Sequence, residues 1–564
     1  MKRNIYILLF LLTGLTGCHF LDHEPDSRTV IDTKKKVRLF LVDAYDAPNY
    51  GPICEFSSDN IIDNNTPDAV GVSLHKNPFD LWYNQVFAWQ DVTQGEGQDS
   101  PGYIWEKCYH NIAVANKALE AIKDLEAQGE NMNAEKAEAL LCRAYNHFIL
   151  VSVFCHAYRD ANLSEQDLGI AYLTESGEIS KVYDRGTVAG VYAQIDADLQ
   201  TALPLVSDEY YSVPKYHFNT KAAYAFAARF YLYKRDYNKV ITYANKVLGS
   251  SPAEAAAQMF DADNCIRLGN IEREMYAWYD IKSPANLLLQ TTMSFALYCF
   301  TPDYCRYSFN REPRDRTVMG PGPNWDDRFP GVNVWRYNAN YGGFLSKMYE
   351  PFEYTNKEAG IGYPHSLRRE FTTGETLLCR AEAEIMLGNL AAAVSDMDVW
   401  SKGYLCTKDL TDNNIKNFFR TGKSEQLVPT LHNTDMCPSW TISDDKIPYI
   451  WCVLHFRRLE TLHDGMRWFD IKRYGIELTH EIGNPVKTKH LVWNDDRKAI
   501  QLPATVISND VKQTPNPRVN VGDHVAINDE TGSSSLNILE LYQKYLPFIA
   551  GLTITPDNEN GKLQ

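Results

Sequence analysis

Residues Thr220–Pro252 read TKAAYAFAARFYLYKRDYNKVITYANKVLGSSP, two helical patterns laid back to back. Ala223, Phe226, Ala227 and Phe230 recur at three- and four-residue steps, and Leu232-Tyr233 extends them. That is one apolar face on a period of about 3.6 residues. Lys234-Arg235-Asp236 interrupts, and Val240, Ile241, Ala244, Val247 and Leu248 take the period up again. The small residues Ala222, Ala223, Ala225, Ala227 and Ala228 let a neighbouring helix approach closely. Gly249 and Pro252 close the second helix in the order helices favour, glycine just past the last turn and proline beyond it. Such a hairpin cannot bury both faces alone, so it needs stacked neighbours.

The neighbours are present. The spacing of Asp236-Tyr237, Ile241, Tyr243, Lys246, Leu248 and Pro252 resembles a tetratricopeptide repeat. Tyr103–Leu125 places Trp105, Tyr109, Ile112, Ala115, Ala118 and Ile122 on one side, and Ala134–Ala157 is its partner helix. Gly186–Leu205, with Thr187 as cap and Val188, Val191, Ile195, Leu199 and Leu203 as stripe, leads into the quoted hairpin. Thr376–Trp400 is a further hairpin, its Leu387-Gly388-Asn389 turn placed like Arg235-Asp236. A helical pattern also starts at Val37. The expected fold is mainly α: tetratricopeptide-like helical hairpins forming a scaffold, with one long loop-rich segment. That segment, Ala253–Thr373, lacks a sustained period and is rich in Gly, Pro, Asn and aromatics; long loops of this kind are usually functional.

The first residues set the compartment. Lys2 and Arg3 precede an apolar run, Ile5–Leu12, and then Leu15-Thr16-Gly17-Cys18. Residues 1–17 read as a secretory signal, too short to span a bilayer, which takes about 20 apolar residues. Leu-Thr-Gly-Cys resembles a bacterial lipobox, so Cys18 is the expected lipidation site and 18–36 a polar tether. The protein is then anchored to a membrane rather than threaded through it. A net charge of −16 with no basic stripe argues against nucleic acid as partner. Tyrosine alone numbers 34, more than a small-residue helical core needs, so some rings are expected at a binding surface. Of twelve cysteines, Cys108, Cys142, Cys155, Cys379 and Cys452 fall in helical patterns as small buried hydrophobes, while Cys299 and Cys305 could pair across a loop. Asp59, Asp63, Asn65 and Asp68 offer calcium-type oxygens but lack the glycine of an EF-hand loop, and no cofactor is expected.

Near the C-terminus, from Ile450 to Gly475, the chain reads IWCVLHFRRLETLHDGMRWFDIKRYG. It resembles the signature of the SusD/RagB family of Bacteroidetes outer-membrane lipoproteins at Arg457, Arg458, Glu460, Asp464, Gly465, Arg467, Trp468, Phe469, Asp470, Arg473 and Gly475. Other blocks agree in order: Phe20-Leu21-Asp22 and Pro25 after Cys18, Arg143-Ala144-Tyr145, Ala381-Glu382-Ala383, Ile500–Pro503 and Asn516-Pro517. Phe456 and His463 depart from the family pattern, and residues 521–564 extend beyond it. The resemblance implies an N-terminal helical region over 37–252 and a C-terminal region over 253–520. It also implies capture of oligosaccharides, or in some members peptides, at the cell surface, beside a SusC-type TonB-dependent transporter in the outer membrane.

A sugar presents a C–H face that stacks on an aromatic ring, and hydroxyls that need amide or charged partners. Trp82, Trp325, Trp335 and Tyr337 lie in irregular stretches, with Asn324 and Arg336 beside them, and are the expected ligand-binding residues. Asn324-Trp325-Asp326-Asp327 follows Gly320-Pro321-Gly322-Pro323, which predicts a loop with Trp325 near its tip. Trp105, Trp451 and Trp468 sit in helical stripes and are expected in the core. Arg457, Glu460 and Asp464 fall three and four apart, a spacing that pairs charges along a helix face rather than building a catalytic centre. No HExxH, GxSxG, P-loop or GxGxxG occurs, and the sequence singles out no carboxylate pair for glycoside hydrolysis. A glycan-active enzyme and a pure interaction scaffold are the competing classes. The aromatic-rich segment favours a non-enzymatic binding protein.

Overall fold

In the computed structural model of the chain, the quoted stretch forms helices over Thr220–Lys234 and Tyr237–Leu248. The described residues are 30–68, 71–93, 95, 97–176, 183–301, 305–336, 342–350, 352–420, 426–509 and 512–522. The expected signal sequence, Cys18, Phe20-Leu21-Asp22, Pro25, Tyr337 and residues 523–564 lie outside them.

The principal helices are α1 (Lys34–Leu41), α2 (Pro101–Ala127), α3 (Asn133–Phe154), α4 (Val188–Ala202), α5 (Thr220–Lys234) and α6 (Tyr237–Leu248). They continue as α7 (Thr373–Leu387), α8 (Leu390–Gly403), α9 (Ile447–Glu460), α10 (Met466–Tyr474) and the short α11 (Ala504–Asn509). Lys34–Lys36, expected in the tether, belong to α1 because Thr33 caps it, accepting from Lys36 N. Side-chain caps set the other starts: Ser100 on α2, Thr187 on α4, Asn219 on α5, Asp236 on α6 and Thr372 on α7. The two matched turns close alike, with Arg235 (φ 65°) and Gly388 (φ 89°) both left-handed. Arginine adopts this conformation less readily than glycine. Its guanidinium compensates by donating to Arg159 O (2.6 Å) and lying 3.6 Å from the Trp440 ring centre.

Neighbouring helices pack in series: α2 on α3, α3 on α4, α5 on α6, α6 on α7, and α7 on both α8 and α9. The five alanines of α5 are all buried, so the close approach their size permits is used. Two units of this array repeat one polar device. Ala115-Asn116-Lys117 and Leu119 of α2 recur as Ala244-Asn245-Lys246 and Leu248 of α6, and Leu140–Ala144 (LLCRA) of α3 recurs as Leu377–Ala381 of α7. In the first unit Arg143 takes Asn116 Oδ1 (3.0 Å) and both carboxylate oxygens of Asp198. In the second Arg380 takes Asn245 Oδ1 (2.7 Å) and both oxygens of Asp396. Each arginine thus joins the helix before its own to the helix after it.

The stretch expected to be loop-rich is partly regular and largely interior. Short helices (Pro252–Ala256, Ala262–Arg267, Ile271–Trp278) lead into β1 (Asn286–Thr292), which pairs antiparallel with β2 (Ser366–Thr372). Strand β2 runs straight into α7, tying the segment to the scaffold. Phe295, Phe300, Phe309, Phe329 and Phe344 are all buried here. Elements this short change direction before any period can register, so their apolar residues read as irregular in sequence. Cys299 and Cys305 are buried free thiols, and Cys299 Sγ lies 3.0 Å from Tyr83 Oη. Among the described residues, no helix is long and apolar enough to cross a membrane.

Candidate functional site: an aromatic groove beside α2

The aromatics expected to meet a ligand lie inside the fold. Trp325 is only 6% exposed: its Nε1 donates to Gly320 O (3.0 Å), and its ring packs on Phe329, His455 and Phe456. Gly322 explains the glycine- and proline-rich run, since a Cβ there would lie 2.0 Å from the indole. The run folds over the ring instead of lifting it to a loop tip. Trp335 is fully buried, in a strand pair with Phe344, and donates to Glu274 Oε2 (2.7 Å). Trp82 is buried on a short helix, its ring centre 3.9 Å from that of Tyr83. Asn324 is buried, its Nδ2 donating to Ser401 Oγ and Lys408 O, while Arg336 stays partly exposed. The expectation of open rings at Trp82, Trp325 and Trp335 is therefore corrected, because burial leaves no face for a sugar. Indole is large and apolar, and these segments had the neighbours to cover it.

The charged signature is interior as well. Arg457 pairs with Asp470 (3.1 Å) and Arg473 with Glu382 (2.7 Å) and Asp470 (2.6 Å). Glu460 accepts from Thr372, Trp400 and Tyr404, and Asp464 meets Lys347 at 2.8 Å. The intrahelical pairing expected of Arg457, Glu460 and Asp464 gives way to bonds that reach other elements. Asp59 is taken by Arg467 and Asp63 by Arg306, so these carboxylates serve separate ion pairs rather than one calcium site. No cluster of three or more metal-ligating side chains occurs among the described residues.

An open aromatic surface lies elsewhere. Trp105 and Tyr109 stand one turn apart on α2, ring centres 5.0 Å apart, at the floor of a groove of about 330 Å³. Leu173 and Tyr183 form one wall; Val506 and Asn509 of α11, with Gln513, form the other. The floor is held from behind, where Trp105 meets Phe154 edge-on at 5.3 Å and Tyr109 Oη donates to Ala171 O (2.9 Å). The walls are joined where Gln513 Nε2 donates to Tyr183 O (2.8 Å) and Arg185 reaches Asn516 Oδ1 (2.7 Å). Gln513 is only 5% exposed, yet its Oε1 has no hydrogen-bond partner in the fold. A buried acceptor left open costs about 1–3 kcal/mol. Two aromatic rings, aliphatic side chains and amides at Asn509 and Gln513 are the kinds of group that suit a sugar's C–H face and hydroxyls. Trp105, expected in the core, is half open because the wall facing it comes from the far C-terminal part of the chain. An i, i+4 aromatic pair reads as core in sequence, and the return of Thr505, Val506, Asn509 and Gln513 makes it a groove.

Residues 19–232 match the SusD-like family model described as "Starch-binding associating with outer membrane". SusD-like protein P2 of Formosa agariphila is 28% identical over 160 residues, which cover 28% of this chain and 29% of that relative's own length. Among solved structures, a SusD superfamily protein from Bacteroides fragilis superposes with TM-score 0.59 at 16% identity, covering 86% of this chain and 99% of that one. Another from Bacteroides thetaiotaomicron gives TM-score 0.58 at 15% identity, covering 86% and 99%. A SusD-like carbohydrate binding protein from Bacteroides vulgatus gives 0.52 at 16%, covering 85% and 97%. Residues 19–232 are thus similar to the SusD-like family, and the chain shares the fold of these solved structures.

Proposed function

We propose that the protein is a lipid-anchored carbohydrate-binding protein of the outer membrane, which captures oligosaccharides and passes them to a SusC-type TonB-dependent transporter. The family description and the aromatic groove support the carbohydrate; the transporter and the anchor follow from the family resemblance and from the Leu15–Cys18 motif. The observation that carries the ligand class is the half-open Trp105–Tyr109 pair in a groove that the amide residues Asn509 and Gln513 also line. On this reading it binds without cleaving: among the described residues the groove's lining holds stacking and amide groups and no carboxylate pair of the kind glycoside hydrolysis uses. Calorimetry of the intact protein against a panel of oligosaccharides and peptides tests this, with product analysis of each mixture. Saccharide binding without new reducing ends is the expected result. Binding of peptides alone, or release of shorter sugars, would replace the reading.

A further inference from the structure

Arg458 and Arg467 of the signature converge on a single carboxylate. Arg467 holds Asp59 through two bonds of 2.9 Å, and Arg458 Nη1 reaches the same carboxylate at 3.3 Å without an aligned hydrogen bond. The rest of Arg458 is spent on neutral acceptors, Asn60 Oδ1 (2.7 Å) and Asp59 O (2.9 Å). Both guanidiniums are at least 97% buried. The other charges around them do not redress the balance. Arg316 adds a further positive charge and is paired with Glu312 (2.9 Å). Glu55, buried and bonded to Asn60 and Gly465 N, has its carboxyl pushed up to about 7 by burial, so it supplies only part of a negative charge near neutrality. Asp470 is engaged by Arg457 and Arg473. A buried guanidinium without compensation is costly.

The two arginines face a small cavity of about 10 Å³ shared with His455, Gln426 and the apolar side chains of Leu427 and Leu454. His455 is 3% exposed and neither ring nitrogen has a partner; Gln426 Oε1 has none either. Amide oxygen and nitrogen are interchangeable by a flip, so Gln426 can turn its NH₂ inward. Unmet donors on three side chains and a surplus positive charge thus surround a space of roughly one small sphere.

We propose that this cavity is a structural site for a single small monovalent anion of the halide class, chloride in practice, held by Arg458, Arg467 and His455. The chemistry selects the class. Sulfate, phosphate and carboxylates need more room and more donors than the cavity holds. A halide is weakly hydrated and tolerates the apolar wall of Leu427 and Leu454. Its role is to neutralise the pair of arginines that joins α9 and α10 to the Asp59 segment, which makes the packing of the signature helices dependent on the anion.

Thermal melting of the intact protein at constant ionic strength, with sodium chloride exchanged stepwise for sodium gluconate, tests the site. The melting temperature should rise with chloride and level off, as linkage to a saturable site requires. Crystals grown in sodium bromide should show an anomalous peak between Arg458, Arg467 and His455. Gln426→Glu places a fixed negative charge at the same spot; it should melt higher than wild type in gluconate and lose the chloride response. His455→Phe keeps the ring packing on Trp325, removes a donor and should weaken the response. Identical melting in both salts, or bromide crystals with an ordinary water there, would overturn the assignment.

Discussion

Arg143 and Asp198 meet through two parallel bonds, Nε to Oδ2 at 2.7 Å and Nη2 to Oδ1 at 2.6 Å, inside the seam between α3 and α4. Arg380 and Asp396 reproduce the arrangement between α7 and α8. Removing one partner of a buried pair leaves an uncompensated charge, at a cost of about 3–5 kcal/mol. Asp198→Ala and Asp396→Ala should each lower stability by that order in urea unfolding. Replacing both partners by apolar residues of similar size, Arg380→Met with Asp396→Leu, should recover most of the loss. If the double variant is as unstable as the single, the pair is not what Arg380 contributes.

Trp335 is sealed inside the fold, so its loss should register as instability. Trp335→Ala is expected to cost about 3–5 kcal/mol, the usual range for emptying a buried tryptophan site. Trp325→Ala should behave likewise. Melting curves superimposable on wild type would show these rings to be uncovered in solution.

Trp105→Ala should act mainly on ligand. Losing a half-open stacking ring should weaken saccharide binding by about 1–3 kcal/mol, from a low starting affinity. Gln513→Leu removes the amide, and with it the bond to Tyr183 O, without emptying space; it should reduce affinity while lowering stability by only about 1–3 kcal/mol. Calorimetry on both variants decides the site; unchanged binding in both would move it away from the groove.

Asp99 gives a pH dependence of known sign. Its carboxyl is fully buried, accepts from Phe295 N (2.8 Å), and is pushed up to about 7 by burial. In the unfolded chain the same group ionises near about 3.9. The folded state therefore keeps a proton that the unfolded state releases. Stability from this group is complete below about pH 4 and is lost as the pH rises toward 7, after which it changes no further. Asp99→Asn should remove that slope and melt higher than wild type at pH 8. A wild-type slope retained in the variant would assign it to other groups.

Cys18→Ala should release the protein from the membrane fraction, as the Leu15–Cys18 motif requires. A variant still carrying lipid and still sedimenting with membranes would refute lipidation at this residue.

Periodicity alone determined the scaffold. The apolar steps of α2 to α8, the caps at Thr187 and Asp236, and the paired turns at Arg235 and Gly388 are local features. Each depends on residues within a turn or two of one another, which is the range over which a sequence pattern states its own structure. The repeated Asn–Arg–Asp device is half local: LLCRA occurs twice in the chain, but which aspartate each arginine holds depends on the packing of successive helices. Whether an aromatic is covered is not local at all. Trp325 and Trp335 lie in segments without a period, and long-range contacts close over them: Phe456 and His455 come from more than a hundred residues downstream of Trp325, and Glu274 from some sixty residues before Trp335. Trp105 shows the converse, a ring on a clear helical stripe that stays half open. Far along the sequence the chain returns beside it at Val506, Asn509 and Gln513, which line the groove without closing it. Burial is set by what packs across the interior, and that information is carried by the tertiary structure.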